Sequence, residues 1–576
     1  MERAYDLVIR GGRVYDGSGG PAYEADVAVK DGVIVAVGQI HGRGAEEIDA
    51  RGRIVTPGFV DIHTHYDGQA TWDQRMQPSS WHGVTTVVMG NCGVGFAPCH
   101  GEDHDRLVRL MEGVEDIPFP VLTQGLPWNW KSYPDYLDSL QDRRFDVDIG
   151  SQLPHAALRV FVMGERGANR EPANAADIAA MAAIAQRAAE AGALGFSTSR
   201  TLNHRTSDGQ PTPTLTAGED ELTGIAMGLA AAGKGALQVV SDFADPEAEF
   251  AMLRRIVEAS GRPLSFSLVQ SPLAPQSYKT LLAAVSDAVD AGLSIKAQVA
   301  ARPVGVLLGL ELTVNPFTHY PVYKEIVGLP FAERVARLSD PAFRERLLAN
   351  PPEEGVRGMG SAWTRMHLMS GLPDYEPTPD STVAARASAL GVRPEVVALD
   401  HMLSQGGKAM LYVPFLNYAE GNLDPAHFML THRDTVPGLS DGGAHVGMIC
   451  DGSFPTTMLT HWTRDRTRGP KLALEQVVRM QTQDTARTVG LYDRGLIAPG
   501  FRADLNVIDY DALTLHAPQV AYDLPAGGRR LIQRASGYVA TIVAGQITYR
   551  DGEPTDALPG RLLRGAQSAP IAQAAE

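Results

Sequence analysis

Two histidines one residue apart, His63 and His65, close the run Pro57-Gly58-Phe59-Val60-Asp61-Ile62-His63-Thr64-His65. An extended chain turns successive side chains to opposite sides, so these two imidazoles face the same way. At the C-terminal end of a parallel strand they can converge on one divalent ion; the plainer reading is two polar residues at a strand terminus. Three other places carry groups that could join them. Cys92 lies among glycines in Gly90-Asn91-Cys92-Gly93-Val94-Gly95, directly after the apolar run Thr85 to Met89. A free cysteine is more often a small core residue, but this setting is unusual for one that only packs. Asp441, in Leu439-Ser440-Asp441-Gly442-Gly443, could take and return a proton beside a metal-activated water. It could equally be a turn aspartate ahead of two glycines. His445 is open between a substrate or oxyanion contact and an ordinary loop residue.

The elements that must position these groups follow from the pattern along the chain. Tyr5 to Arg10, Asp26 to Val29 and Val33 to Val37 read as short strands, punctuated by Gly11-Gly12, Asp16-Gly17 and Asp31-Gly32. The same texture returns in Leu505 to Ile508, Gly537 to Val543 and Ile547 to Tyr549. Neither set is thick enough to bury a core alone. The expectation is therefore one small β-sandwich built from both chain ends, residues 1–57 with 492–560. Between them, over 58–491, strand-like runs alternate with Ala-rich helical stretches. Leu264 to Val269 and Leu293 to Val299 are such strands; Ala175 to Ala193 and Tyr278 to Ala291 are such helices. That alternation predicts an α/β fold, a (β/α)8 TIM-like barrel, whose active site opens at the C-terminal ends of its strands. Residues 312–385 break the pattern and are read as an insertion or lid, with Phe317, Tyr320 and Tyr323 shaping a pocket. Trp128 and Trp130 are candidates for the same role, and 561–576 is an Ala-rich tail, frayed from about Gln567.

The bulk composition bounds the partners. Lys and Arg total 51 against 67 Asp and Glu, a net charge of −16 over 576 residues, which argues against a nucleic-acid backbone as partner. Three cysteines, Cys92, Cys99 and Cys450, do not make a disulfide framework. No run approaches the roughly 20 apolar residues of a membrane span, and Met1 to Gly12 lacks a signal-peptide pattern. A cytoplasmic protein acting on a small molecule is expected, with homo-oligomerisation left open.

At this point the motifs together resemble the amidohydrolase superfamily, in its branch of N-acyl-D-amino-acid deacylases. The resemblance is carried by DLVIRGGRVYDGSG near the start, PGFVDIHTHYDGQ, GVTTVVMGNCGVG at 83–95 and PHAALRVFVMG at 154–164. GALGFSTS at 192–199, LSDGGAH at 439–445 and RGLIAPGFRADLNVID at 494–509 add to it. The GNCGVG segment is what points to the deacylases. The resemblance implies a zinc-dependent hydrolase in which His63, His65 and a Cys92 thiolate bind metal and Asp441 is ligand, catalytic base, or both in alternation. It places Asp67 behind a ligand to orient it.

The match also has gaps. The deacylases are expected to supply two more histidines from middle strands, yet 237–242 (LQVVSD) and 266–270 (FSLVQ) contain none. The basic residue expected after the second histidine, which would grip a substrate carboxylate, has Gln270 near its place. His204, in an irregular polar segment, and Lys296, after LSI, are the remaining candidates for substrate contact. Four ligands complete a tetrahedral Zn²⁺ site, so one ion is expected rather than two about 3.5–4 Å apart. The expected activity is hydrolysis of a C–N amide bond, with a substrate range altered from N-acyl-D-amino acids towards N-acyl or secondary amides. The alternatives are a cyclic-amide hydrolase of hydantoinase or dihydroorotase type, in which a carboxylated lysine would bridge two metals, and a non-catalytic scaffold on the same fold.

Overall fold

A computed structural model describes residues 3–353, 358–369 and 371–571 of the chain. Eight parallel strands follow one another in sequence order: β1 (Phe59–Asp61), β2 (Val84–Met89), β3 (Asp148–Pro154), β4 (Gly195–Arg200), β5 (Ala236–Ser241), β6 (Leu264–Leu268), β7 (Ile295–Val299) and β8 (Thr435–Pro437). Every residue of β2 and β3 is buried, as expected of strands covered on both faces. The helices between them stop where the sequence tells them to. Asn174 caps Ala175–Ala191, its side chain accepting from the Ala176 and Asp177 amides, an arrangement worth about 0.5–2 kcal/mol. That helix and the next two, Glu219–Ala232 and Pro246–Ser260, each end on a left-handed glycine, Gly192, Gly233 and Gly261.

The barrel closes just beyond its shortest strands. Past β1 and β8 the chain forms a parallel bridge between Thr64 and Gly442. In it the His65 amide donates to Gly442 O at 2.8 Å and the Asp441 amide to His63 O at 3.1 Å. The (β/α)8 expectation is met, and the seam runs through the very residues singled out for their chemistry.

The chain ends combine as expected. Arg3–Val14, Tyr23–Lys30, Val33–Gly38, Arg43–Asp49 and Ile54–Pro57 join Leu505–Ile508, Tyr538–Val543, Gln546–Arg550 and Glu553–Pro554 in one continuous nine-stranded sheet. Ile54–Pro57 pairs antiparallel with Leu505–Ile508. The sheet wraps a single apolar core that includes Leu7, Val27, Ile34, Val55, Val507 and Ile542. The 494–509 segment ties this sheet to the bottom of the barrel. Arg494, fully buried, lies 2.8 Å from Asp148 at the start of β3 and 3.5 Å from Asp504, while Arg502 reaches the same two carboxylates at 2.9 and 3.2 Å. The segment beyond residue 560 is not free: Leu562 and Leu563 are buried, and Gln567 pairs with Gly490 and Tyr492. Residues 572–576 lie outside the described residues.

The insertion expected over 312–385 is part of a larger segment between β7 and β8, and residues 354–357 and 370 of it lie outside the described residues. Val304–Leu308 and His367–Leu368 flank Leu411–Leu416 in an antiparallel sheet, packed with helices around its own core. Phe317, Tyr320 and Tyr323 are buried in that core at 0%, 3% and 2% exposure. They hold the insertion together and do not line a pocket. Trp130 is likewise buried, donating to Phe96 O, and Trp128 stacks on His104.

Removing one partner of a buried ion pair leaves an uncompensated charge, which costs about 3–5 kcal/mol. Asp148→Ala takes away the carboxylate that Arg494 and Arg502 share and leaves them Asp504 and Asp493, so urea denaturation should show a loss at the lower end of that range, about 3 kcal/mol. A loss under about 1 kcal/mol would mean that the 494–509 segment is not anchored through Asp148.

Candidate metal centre

His63 and His65 lie beyond the end of β1, at 0% and 2% exposure. The pleat places them as the spacing predicts, with both Nε2 atoms turned to one point. Asp61 and Ser440 hold the two sides of the seam together. Ser440 Oγ donates to Asp61 Oδ2 at 2.5 Å, and Asp61 Oδ1 accepts from the His63 amide at 3.3 Å. Burial lifts the Asp61 carboxyl to about 7, against the hydrogen bonds from Ser440 and the His63 amide.

Cys92 reaches this point because its loop folds back across the barrel mouth. Its backbone is left-handed (φ 56°), as are those of Gly90 and Gly93. A side chain on Gly93 would stand 2.8 Å from Thr198 Cα, so glycine is needed there. The loop is pinned from beneath: Gly90 N donates to Asp67 Oδ2 at 3.0 Å and Cys92 N to Gln238 Oε1 at 2.9 Å. The Cys92 Sγ stands 3.2 Å from His63 Nε2. Asp67 thus orients Cys92 through its loop, and the backbone makes the connection.

Asp441 enters from the other side of the seam, also left-handed (φ 48°), with Leu439 and His445 at 61° and 49°. Gly442 and Gly443 pack against Ser79, Tyr66 and the His65 carbonyl so tightly that a Cβ on either would clash. Asp441 Oδ1 stands 3.4 Å from His63 Nε2 and 3.6 Å from His65 Nε2.

Among the described residues, His63, His65 and Cys92 are the group whose donor atoms all lie within 4.8 Å of one another. Asp441 Oδ1 stands beside two of the three. Ligands about 2.1 Å from a tetrahedral ion stand about 3.4 Å apart, and the His63–Cys92, His63–Asp441 and His65–Asp441 separations of 3.2, 3.4 and 3.6 Å are of that size. Asp441 Oδ1 is buried and accepts no hydrogen bond, as befits an oxygen aimed at a cation. The ring tautomers agree. His63 Nδ1 donates to Gln298 Oε1 at 2.7 Å, and His65 Nδ1 faces Glu115 Oε1 at 3.2 Å, leaving both Nε2 lone pairs for a ligand. The residues present therefore fit a metal ion held through N and S donors, with the Asp441 carboxylate beside it.

The electrostatics are those of a dry, unbalanced site. Burial holds the His63 imidazole down to about 4 and pushes the Cys92 thiol up to about 12. Burial also opposes charge on His65 and Asp441, yet Glu115 and Asp441 hold His65 well above its usual value, and His65 and His63 hold Asp441 well below the carboxylate range.

The sequence candidates divide as follows. His445 is at the site, with Nε2 3.6 Å from Glu115 Oε2 and 3.9 Å from Asp441 Oδ2. The Nδ1 of His204 pairs with Ser199 Oγ at 2.9 Å, and burial, then the fields of His445 and His65, holds its imidazole down to about 3. Lys296 is a correction. It is the second residue of β7, at the end away from the mouth, and its Nζ donates to Arg433 O at 2.9 Å. It can neither touch substrate nor bridge metals. Gln270 bonds the Ala419 amide and Glu420 of the insertion, which makes it a tie for that segment. Three site residues were not foreseen. Gln238 and Gln298 occupy inward positions of β5 and β7, and their alternation in LQVV and KAQV was the available signal. Glu115 ends the helix His104–Glu115 and had none.

A fold of this kind with such a donor set defines a metal-dependent barrel hydrolase, and comparison with known proteins agrees. The amidohydrolase family model matches residues 46–549. N-acyl-D-glutamate deacylase of Alcaligenes xylosoxydans xylosoxydans is 28% identical over 100% of this chain and 99% of its own. N-acyl-D-aspartate deacylase of the same organism is 38% identical over 34% of this chain and 36% of its own. A crystal structure of D-aminoacylase superposes with a TM-score of 0.63 at 24% identity, covering 97% of this chain and 100% of that one. The chain belongs to the amidohydrolase family, in its D-aminoacylase-like branch, and is a hydrolase of carbon–nitrogen bonds other than peptide bonds. No helix among the described residues is long and apolar enough to cross a membrane.

Partners that orient a metal-bound histidine typically contribute 10–100-fold to metal affinity. Gln298→Leu should weaken Zn²⁺ binding by about that factor in chelator competition, and Cys92→Ala should weaken it further. Lys296→Met should leave affinity unchanged; a loss there would return the lysine to the site.

Proposed function

We propose that the chain hydrolyses the amide of an N-acyl compound with one Zn²⁺ held by His63, His65, Cys92 and Asp441. The observation that carries this is the cluster of His63, His65 and Cys92 donors within 4.8 Å of one another, with Asp441 Oδ1 3.4 and 3.6 Å from the two imidazoles. A Zn²⁺ held there supplies Lewis acidity and brings the pKa of water towards about 7.

The chain's own groups do the rest. Asp441 Oδ1 faces the ligand cluster and Oδ2 faces His445, so one carboxylate can take the proton of the attacking water and deliver it to the departing nitrogen. His445 and His204 stand on the open side, where Asp441 and His445 keep about a fifth of their side-chain surface, and contact the substrate. Glu115, facing both His65 and His445, fixes their orientation relative to each other.

The place of Lys296 weighs against the cyclic-amide alternative, which would have used it as a bridging carbamate. A second ion is also disfavoured, because β5 and β6, where further histidines were expected, carry Gln238 and Ser267 instead. A published study of D-aminoacylase itself reports one-metal activation and second-metal attenuation of its binuclear centre. A one-metal enzyme on the same fold is consistent with that behaviour.

Two measurements on one preparation test the reading. A screen of N-acyl amino acids and neutral secondary amides should find turnover, with one zinc per chain after dialysis; two tightly held ions would refute the one-metal site. Asp441→Asn should lower kcat about 10²–10⁴-fold on the substrate found, and retained activity would remove Asp441 as the base.

A further inference from the structure

The two carboxamides behind the ligand cluster are of one residue type and differ in how they are satisfied. Gln298 is closed at both ends: Oε1 accepts from His63 Nδ1 at 2.7 Å and Nε2 donates to Ser265 Oγ at 2.9 Å. Gln238 is closed at one end only. Its Oε1 accepts from Cys92 N at 2.9 Å, which fixes the amide's orientation and turns Nε2 away from the loop. That Nε2 is buried, in a residue 1% exposed, and has no partner. On the neighbouring strand the same is true of Ser267 Oγ, in a residue 8% exposed. Ser265 lies opposite Gln238 in the β5–β6 register and is engaged by Gln298. Ser267, two residues nearer the mouth on the same face, is left free.

A buried donor without a partner costs about 1–3 kcal/mol. Such groups at a functional site call for a ligand or a water that accepts from them. The chemistry of the surroundings says which kind of atom this is. Cys92, Asp441 and Glu115 are acceptors or anions, so the site is rich in groups for a cation and a proton and poor in neutral donors. Acyl transfer also needs donors, aimed at the carbonyl oxygen as it gains charge. Gln238 Oε1 already accepts from the Cys92 amide, which settles which end of the carboxamide is left over as a donor.

We propose that Gln238 Nε2 and Ser267 Oγ form a donor pair for the acyl oxygen of the substrate, at inward positions of strands where the branch is expected to carry histidines. This rests on the amide-hydrolase reading above. Gln238 is then a catalytic residue of this chain as well as the support of the Cys92 loop.

The test uses the zinc-loaded full chain, with Gln238→Met and Ser267→Ala. The probes are the N-acyl amino acid that the wild type hydrolyses best and the methylphosphonamidate of the same amine. Removing an oxyanion donor costs about 10²–10³ in kcat. For Gln238→Met, kcat per bound zinc and phosphonamidate affinity per bound zinc should fall together by that factor, with KM within about threefold, since the substitution also releases the Cys92 amide. Ser267→Ala, which removes a hydroxyl that no protein group uses, should fold as the wild type does and lose roughly tenfold. A Gln238→Met loss that tracks loss of zinc, or a Ser267→Ala enzyme with unchanged kcat and phosphonamidate affinity, would overturn the donor pair. A crystal structure of the zinc-loaded, substrate-free chain gives a readout independent of activity. An ordered water should sit within hydrogen-bond distance of both atoms, and a protein acceptor found on Gln238 Nε2 would refute the proposal. Failure of the amide-hydrolase reading would look different, as a wild type inert to every amide.

Discussion

Two backbone hydrogen bonds, His65 N to Gly442 O and Asp441 N to His63 O, carry more of this structure than their number suggests. They close the barrel between its first and last strands, and they do so with the residues that supply three of the four candidate ligand atoms. Parallel strands cannot close without a fixed stagger. The same register that satisfies the sheet therefore sets the 3.4 and 3.6 Å spacing of Asp441 from the two imidazoles. The glycines after Asp441 follow from this. The returning chain must lie against Tyr66 and the His65 carbonyl, where no Cβ fits.

What the seam assembles is costly to hold. Two imidazoles, a thiol and the Asp61 and Asp441 carboxyls stand together, and burial opposes the charge on each. Four non-glycine residues around the site, Cys92, Leu439, Asp441 and His445, hold left-handed backbone conformations, each at a cost of order 1–3 kcal/mol. The stability is found elsewhere. The Arg494–Asp148–Arg502–Asp504 cluster lies at the opposite end of the strands, the insertion has its own core, and the terminal sheet wraps a third. The division is that of the fold class, with chemistry at the C-terminal ends of strands and stability at the other.

Of the site, local pattern makes His63 and His65 legible, through a period of two. Cys92 and Asp441 are legible only through the family resemblance, because a core cysteine and a turn aspartate fit the same local residues. Glu115 was not legible because its arrival depends on how a helix docks, and nothing in MEGVED distinguishes it from an ordinary helix end. Lys296 was misplaced by one question, which end of β7 it occupies. LSIKAQV is strand-like throughout, and only the observed start at Ile295 puts the lysine at the bottom. The aromatics of the insertion were misread because proline and charge surround them. A small subdomain with its own core shows the same composition as an irregular lid, and pairing between Val304–Leu308 and Leu411–Leu416, about a hundred residues apart in sequence, cannot be seen locally.

The missing histidines sharpen the chemistry. A histidine on β5 or β6 would have offered a lone pair to a second ion. A carboxamide on β5 whose oxygen is already taken by the Cys92 amide offers donors instead. The β5 carboxamide leaves a buried N–H, and Ser267 on β6 a buried hydroxyl, without a hydrogen-bond partner among the described residues. It also binds the ligand loop and the donor to one side chain, so that the thiolate and the amide cannot move independently.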